Sequence, residues 1–233
     1  MLCLGIDVSG RALSAAIMEA GPGQARLVGE LSLDTGKNHS LALLPLLDQL
    51  LRYSSLSLER MDGFSVTAGP GSFTGLRIGM ATVQAWMQAL DKPALAVPST
   101  RAMARAMDKE GLVCPVFDAR RSQVYAAVWR QEQRLSPDLA LAPQELIDLL
   151  RSYDQPVYMA GDGLDPWYGD FAQGLGDRFR PLPPERRLNM AAATAAIGLE
   201  GLLRGESTPI EDMLPIYLRL SEAEEKLLQK NHG

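Results

Sequence analysis

A glycine-rich stretch at residues 69–79, GPGSFTGLRIG, is the part of this 233-residue chain best suited to chemistry. Backbone N–H groups between a strand and a helix form an anion site, because the positive end of the helix dipole lies there. The stretch is not a Walker A loop, since Leu76 and Arg77 stand where Lys and Ser/Thr would be needed, and it lacks the GxGxxG spacing. The alternative is a tight turn in which Ser72 or Thr74 caps the helix. The glycine spacing leaves both interpretations open.

Three aspartates, each in or just after a strand-like run, are the carboxylates that can act at a cleft. In a duplicated α/β fold such residues face the cleft and bind a magnesium–nucleotide. For Asp7 and Asp118 the alternative is that each caps a hairpin turn, and the sequence does not decide between the two. The predicted nucleotide or phosphate cleft consists of Asp7, Gly69, Gly71, Asp118, Gly161 and Asp162.

Other reactive residues are few. The two histidines, His39 and His232, have no neighbouring Cys or His at zinc-site spacing, and no nucleophile stands with a base. Cys3 and Cys114 each open an apolar run and are predicted to be buried free thiols. We therefore predict no catalytic residue, no metal site and no cofactor.

The elements that must position these residues alternate between strand and helix, which is typical of layered α/β proteins. Three strand-like runs come first, and leucines at helical spacing follow. A strand then leads into the glycine stretch, a second helix, another strand and a third helix. The predicted segments are 2–8, 12–19, 26–33, 39–51, 63–68, 76–90, 94–97 and 100–107.

The same order of elements begins again in the second half. IDVSGRALSAAIM (6–18) aligns with FDARRSQVYAAVW (117–129), and VTAGPG (66–71) aligns with YMAGDG (158–163). Two landmarks in one order indicate an internal duplication. A hairpin with an aspartate at its first turn, a third strand and alternating helices and strands predict an actin-like (ASKHA) fold of two tandem ribonuclease-H-like domains. The predicted domains are 1–98 and 99–213, followed by an extended segment and a helix at 214–233, with Ser221 as its N-cap and Glu224 three residues later.

The overall charge argues against a protein that grips nucleic acid alone. The net charge is −5 and the pI about 5.2, whereas phosphate neutralisation requires a basic face. The N-terminal segment does not match a signal peptide, and no run of about 18 apolar residues occurs. We expect a cytoplasmic protein without a membrane segment.

Several segments together resemble one bacterial family, the tRNA threonylcarbamoyladenosine biosynthesis proteins TsaB (YeaZ). They are LGIDVS, HSLALLPLLDQLL, GPGSFTGLRIG, PVFDARRSQVYAA, AGDG and PIYLR, and they cover nearly the whole chain. The resemblance implies a non-catalytic partner of TsaD, which transfers threonylcarbamoyl to the adenosine 3′ of the anticodon in tRNAs that read codons beginning with A. It also implies a third member, the ATPase TsaE, and tRNA contact only through the complex. TsaD has a metal-binding HxxxH motif where this chain has Ser99 and Met103, which supports the partner role.

The resemblance further implies that the first two helices form the surface that docks TsaD, and that the same surface forms a homodimer in its absence. Met80, Val83 and Met87 are the candidates for an exposed stripe on the second helix, because their spacing places them on one face. The alternative is that all of these apolar residues belong to the core. The predicted interface consists of Leu41, Leu44, Leu47, Leu51, Arg77, Met80, Val83 and Met87.

Two enzymatic alternatives remain for comparison. A small ATP-dependent phosphotransferase with the same fold would bind ATP–magnesium and turn it over, but such kinases need larger insertions for a substrate site. A metallopeptidase would need metal ligands that the sequence does not supply.

Overall fold

The protein is described by a computed structural model that covers residues 1–34, 39–187 and 190–219. The predicted C-terminal helix, with Ser221, Glu224 and His232, lies outside these described residues. Within them, no helix is long and apolar enough to cross a membrane.

The first half of the chain forms a five-stranded sheet with the order β3-β2-β1-β4-β5. β1 to β3 form an antiparallel meander, whereas β4 runs parallel to β1 and β5 runs parallel to β4. The parallel strands are joined through helices, as parallel connections require. The strands are β1 Leu2–Asp7, β2 Leu13–Ala20, β3 Ala25–Leu33, β4 Gly63–Gly69 and β5 Ala94–Pro98.

The second half repeats this arrangement. Its main strands have the order β10-β7-β6-β11-β12, with the same pattern of antiparallel and parallel neighbours. Asp7 ends β1 and Asp118 ends β6, so the sequence match between these segments reflects equivalent positions. The predicted duplication is confirmed by this topology. The strands are β6 Leu112–Asp118, β7 Val124–Ala126, β8 Trp129–Arg130, β9 Gln133–Arg134, β10 Leu139–Leu141, β11 Val157–Ala160 and β12 Phe179–Pro181.

In the described residues, six α-helices cover the two sheets in layers. α1 and α2 pack on one face of the first sheet, and α4 and α5 pack on the second sheet. α3 and α6 contact each other and lie between the sheets. The helices are α1 His39–Tyr53, α2 Phe73–Leu90, α3 Ser99–Met107, α4 Pro143–Arg151, α5 Tyr168–Leu175 and α6 Ala191–Leu203.

The last helix and the segment after it belong to the core of the first half. α6 packs directly on β1, β2, β4 and β5, and Gly198 allows this because a Cβ there would clash with Ser65. Met213 is fully buried in the first core, and Ile216 donates its N–H to the Ala68 carbonyl at 2.7 Å. The sheets therefore divide between β5 and α3, but residues of the predicted second domain complete the first one. The boundary after residue 98 stays a prediction.

Strand alternation separates the two sides of the first sheet. Leu4, Ile6 and Val8 face the core beneath α1 and α2, while Cys3 faces α6. Cys3 and Cys114 are buried free thiols, as predicted, and burial raises the pKa of each to about 12.

Candidate functional site

The glycine loop joins β4 to α2, and three of its N–H groups make hydrogen bonds within the protein. Ser72 is the N-cap of α2, and its hydroxyl accepts from Gly75 N–H at 3.3 Å. Ser72 N–H donates to the Ser9 carbonyl at 2.6 Å, and Gly69 N–H donates to the Ser99 hydroxyl at 3.1 Å. These three N–H groups are bonded within the protein, as the capped-turn interpretation requires, and the phosphate site stays a prediction.

Close packing explains why α2 carries glycines in this stretch. A Cβ at Gly75 would clash with the Val8 carbonyl oxygen, and one at Gly79 would lie 2.5 Å from Val8 Cγ2. The glycines thus let the first two turns of α2 lie against the end of β1. The loop fixes the position of α2 on the first sheet.

Asp162 joins the two halves of the molecule. Its carboxylate accepts from Arg11 N–H at 2.9 Å, in the β1–β2 turn, and from Asp118 N–H at 3.1 Å, at the end of β6. Burial raises its pKa, and these two hydrogen bonds oppose the shift. Asp118 in turn accepts from Arg120 N–H at 2.8 Å within its own hairpin. Both carboxylates therefore hold backbone in place.

Asp7 is fully buried and makes three hydrogen bonds through one oxygen. Its Oδ1 accepts from Ser9 N–H at 3.0 Å, from the Ser9 hydroxyl at 2.7 Å and from the Thr67 hydroxyl at 2.9 Å. Its Oδ2 has no hydrogen-bond partner among the described residues. Burial raises the pKa of Asp7 to about 6, and the nearby charge of Asp162 adds to the increase while the hydrogen bonds reduce it. Asp7 thus caps a turn, which was the alternative interpretation.

The six predicted cleft residues lie near one another, and three of them line a cavity. A cavity of about 970 Å³ opens between the glycine loop, the start of α1 and the β6–β7 turn. Gly71, Asp118 and Asp162 line it, whereas the other three do not. Gly69 and Gly161 hold equivalent left-handed conformations, with φ of +111° and +119°. In the described part of the chain, no group of three or more His, Cys, Asp or Glu side chains is placed to hold a metal ion.

Ser99 and Met103, the residues that the resemblance sets against the TsaD metal motif, have structural contacts. Ser99 is fully buried and accepts the Gly69 N–H, and Met103 packs in the core between the two sheets. Neither side chain is presented to the cavity.

The residues exposed on α1 and α2 differ from those predicted to be exposed. Leu41 and Leu44 are 73% and 62% exposed, whereas Leu47 lies in the core. Met80 and Val83 are also buried, with 2% and 0% of their surface exposed, because this side of α2 packs against β1 and β4. The prediction of an exposed Met80–Val83 stripe is therefore wrong. Leu51 and Met87 are half-buried against the same core, and Arg77 is exposed.

Two features of the cavity wall escaped the sequence prediction. Arg77 donates from Nε to the Tyr217 hydroxyl at 2.8 Å, and its guanidinium lies 4.2 Å from the centroid of the Phe73 ring, which stacks on Tyr217 at 4.1 Å. The β6–β7 turn holds Arg120, Arg121 and Ser122 at φ of +62°, +50° and +57°. The contact between Phe73 and Tyr217 was not predictable from the sequence, because Tyr217 is 144 positions after Phe73.

Comparison with known proteins gives a consistent result. Residues 32–159, more than half of the chain, match the family model described as TsaD, tRNA N6-adenosine threonylcarbamoyltransferase. The chain is 28% identical to the TsaB protein of Bacillus subtilis, over 98% of this chain and 99% of that protein. It is 27% identical to TsaB of Escherichia coli, over 97% and 98% of the two chains. The solved structure of YeaZ from Pseudomonas aeruginosa superposes with a TM-score of 0.70 at 25% identity, over 93% and 99% of the chains.

The actin-like pair of ribonuclease-H-like units, the glycine loop that seats α2 and these whole-length matches agree. The chain belongs to the TsaD family and, within it, to the tRNA threonylcarbamoyladenosine biosynthesis proteins TsaB, also called YeaZ.

Proposed function

We propose that this chain is a non-catalytic subunit of the complex that transfers threonylcarbamoyl to tRNA, at the adenosine 3′ of the anticodon in tRNAs reading codons that begin with A. It docks and supports a TsaD-type catalytic subunit, together with a TsaE-type ATPase. Family membership supports the pathway, since relatives that match the whole chain are named for threonylcarbamoyladenosine biosynthesis. The observation that carries the division of roles is the replacement of the TsaD metal motif by Ser99 and Met103.

The hydrogen bonds of the cleft residues favour a non-catalytic role. Asp7, Asp118 and Asp162 each accept hydrogen bonds from backbone N–H or hydroxyl groups, so each carboxylate has a structural use in the fold. Ser99 and Met103 are buried and engaged in packing. A chain with these substitutions keeps the fold of its family while giving up the ligands for metal-assisted transfer.

The outer face of α1 and α2 is the proposed docking surface. Leu41 and Leu44 project from α1, which contacts α2, and the exposed positions of α2 include the small residues Ala81 and Ala85. Burying the two leucines in a complex stabilises it by about 2–4 kcal/mol, since each contributes up to about 2 kcal/mol of apolar transfer. The same face forms a homodimer when the partner is absent.

Replacing Leu44 with glutamate tests this surface. A carboxylate buried against an apolar partner without a counter-charge costs several kcal/mol, so Leu44→Glu should weaken partner binding and the homodimer by at least about a hundredfold. Leu203→Glu is the matched control, because Leu203 is 58% exposed and lies on α6.

The measurement is affinity for the TsaD-type partner by calorimetry, with thermal unfolding of each variant. Both variants should unfold near the wild-type temperature, because both leucines are exposed. Equal affinity of Leu44→Glu and Leu203→Glu would remove α1 from the interface.

A further inference from the structure

The start of α1, the helix that carries the two docking leucines, is anchored by one histidine. His39 is 8% exposed, whereas Ser40 and Leu41 are exposed and Ala42 is half-buried, so His39 is the buried side chain of this first turn. Leu41 and Leu44 follow it by two and five positions. The placement of the first turn, and with it of the two leucines, therefore depends on how His39 is held.

His39 is held from two sides. Its Nε2 lies 3.2 Å from the Arg11 carbonyl oxygen, and since a carbonyl oxygen only accepts, this nitrogen carries the proton and donates. Its Nδ1 lies 3.0 Å from the position that a Cβ on Gly75 would take, so the ring occupies the space that this glycine leaves at the start of α2. The ring thus joins α1 to the β1–β2 turn and to α2.

The second half of the chain holds the β1–β2 turn in place. Asp162 accepts from Arg11 N–H at 2.9 Å, and a Cβ on Gly10 would lie 3.4 Å from the same carboxylate oxygen. The Arg11 side chain adds an ion pair with Asp165 at 3.7 Å. Arg11 therefore contacts the second half through its N–H and side chain, and α1 through its carbonyl.

Two glycines fix the position of Asp162 itself. A Cβ on Gly161 would clash with the Val116 carbonyl oxygen, and a Cβ on Gly163 would lie 2.5 Å from the Phe117 carbonyl carbon. Gly163 N–H also donates to the Val116 carbonyl at 3.0 Å. The loop after β11 therefore lies directly on the end of β6, and the second sheet determines where the Asp162 carboxylate stands.

We propose that Asp162 and His39 are positioning residues for partner docking. The second half sets the start of α1 through a contact path that runs from Asp162 to Arg11 and from Arg11 to His39. This role rests on the proposed docking surface, because Leu41 and Leu44 are the residues that the path places. Series of hydrogen bonds and packed side chains are the means by which one part of a protein influences another.

Affinity for the TsaD-type partner, measured by calorimetry on full-length variants, tests the path. His39→Ala removes the donor to Arg11 and Asp162→Ala removes the acceptor, and each should weaken binding about tenfold, the effect of one or two buried hydrogen bonds. His39→Gln should keep most of the affinity, because the glutamine amide nitrogen reaches about the place of Nε2 and also donates. The double variant His39→Ala/Asp162→Ala should lose no more than the weaker-binding single variant, since both break the same path.

Ile147→Val is the matched control for a general loss of stability. Ile147 is 1% exposed in the core of the second half, away from the path, and the substitution leaves a small cavity there. It should bind the partner as the wild type does.

Hydrogen exchange of the chain alone tests the path without a partner. In Asp162→Ala, the amides at the start of α1 should exchange about tenfold faster than in the wild type, because the first turn has lost its anchor. The amides of α4 should keep their rates, and they report any general loosening of the second half.

Two results would overturn the proposal. One is an affinity of His39→Ala and Asp162→Ala equal to that of Ile147→Val, and the other is an equal increase in exchange for α1 and α4. Leu44→Glu separates the two proposals. If Leu44→Glu weakens binding and neither alanine variant does, the docking surface stands and the contact path fails. If Leu44→Glu binds as the wild type does, the docking surface fails and the positioning role fails with it.

Discussion

Replacing Gly79 with alanine tests whether the glycine stretch exists to seat α2. Alanine in a helix interior is favoured over glycine by about 1 kcal/mol, so propensity alone predicts stabilisation. The structure predicts the opposite. The new Cβ would lie 2.5 Å from Val8 Cγ2 and 3.1 Å from Val66 Cγ2, whereas carbon atoms in contact are about 3.5–4.0 Å apart.

The clash cannot be relieved by a side-chain rotation. Val8 and Val66 are β-branched and fully buried, so α2 itself must move away from β1 and β4 by roughly 1 Å. Such overpacking costs up to about 3 kcal/mol, and the gain in propensity offsets about 1 kcal/mol. The net loss of about 2 kcal/mol corresponds to a fall in Tm of about 4–8 °C for a chain of this length.

Gly169→Ala is the matched control in the same assay. Gly169 lies in the first turn of α5, is exposed, and a Cβ there would have no heavy atom within 4 Å. Thermal and guanidinium unfolding should show a small increase in stability for Gly169→Ala and a clear decrease for Gly79→Ala. A Gly79→Ala protein that is as stable as the wild type, with α2 in place, would refute the reasoning.

Two further predictions concern the core. The pKa of Asp7 is raised to about 6 in the folded protein, against about 3.9 in an unfolded chain, so the folded state binds the proton more tightly. This carboxyl therefore lowers stability as the pH rises from about 4 to 6, by about 3 kcal/mol in total, and Asp7→Asn should remove that dependence from denaturation midpoints measured across the range. An unchanged pH profile in Asp7→Asn would show that Asp7 is ionised without penalty. Val83→Glu places a carboxylate in the core beneath α2 and should leave the isolated chain largely unfolded, by circular dichroism. A folded Val83→Glu protein with weakened partner binding would restore the predicted stripe.

Leucine patterning in α1 shows where sequence reasoning reaches its limit. The helix has leucines at seven positions between 41 and 51, so both Leu41–Leu44 and Leu43–Leu46 fit helical spacing. The existence of the helix follows from this pattern. The buried face depends on the sheet beneath it, which places Leu43, Leu46, Leu47 and Leu50 inwards and leaves Leu41 and Leu44 outside.

The two-unit architecture was predictable because the duplicated segments still have similar local sequences. Asp7 and Asp118 end equivalent strands, and Gly69 and Gly161 share one backbone conformation. The contacts of the last described residues were not predictable. Ile216 bonds to Ala68, and Tyr217 stacks on Phe73, although about 150 residues separate the partners in sequence. Sequence periodicity gives no information about contacts at such a separation.

Transfer of threonylcarbamoyl to tRNA, reconstituted with this chain, its TsaD-type partner and the TsaE-type ATPase, tests the central claim most directly. Each protein is omitted in turn, and Leu44→Glu and Leu203→Glu replace the wild-type chain in parallel reactions. We predict no transfer by this chain alone, full transfer by the complete set, and a loss of transfer with Leu44→Glu that Leu203→Glu does not share. Single-turnover transfer by this chain alone, or full transfer in its absence, would contradict the account.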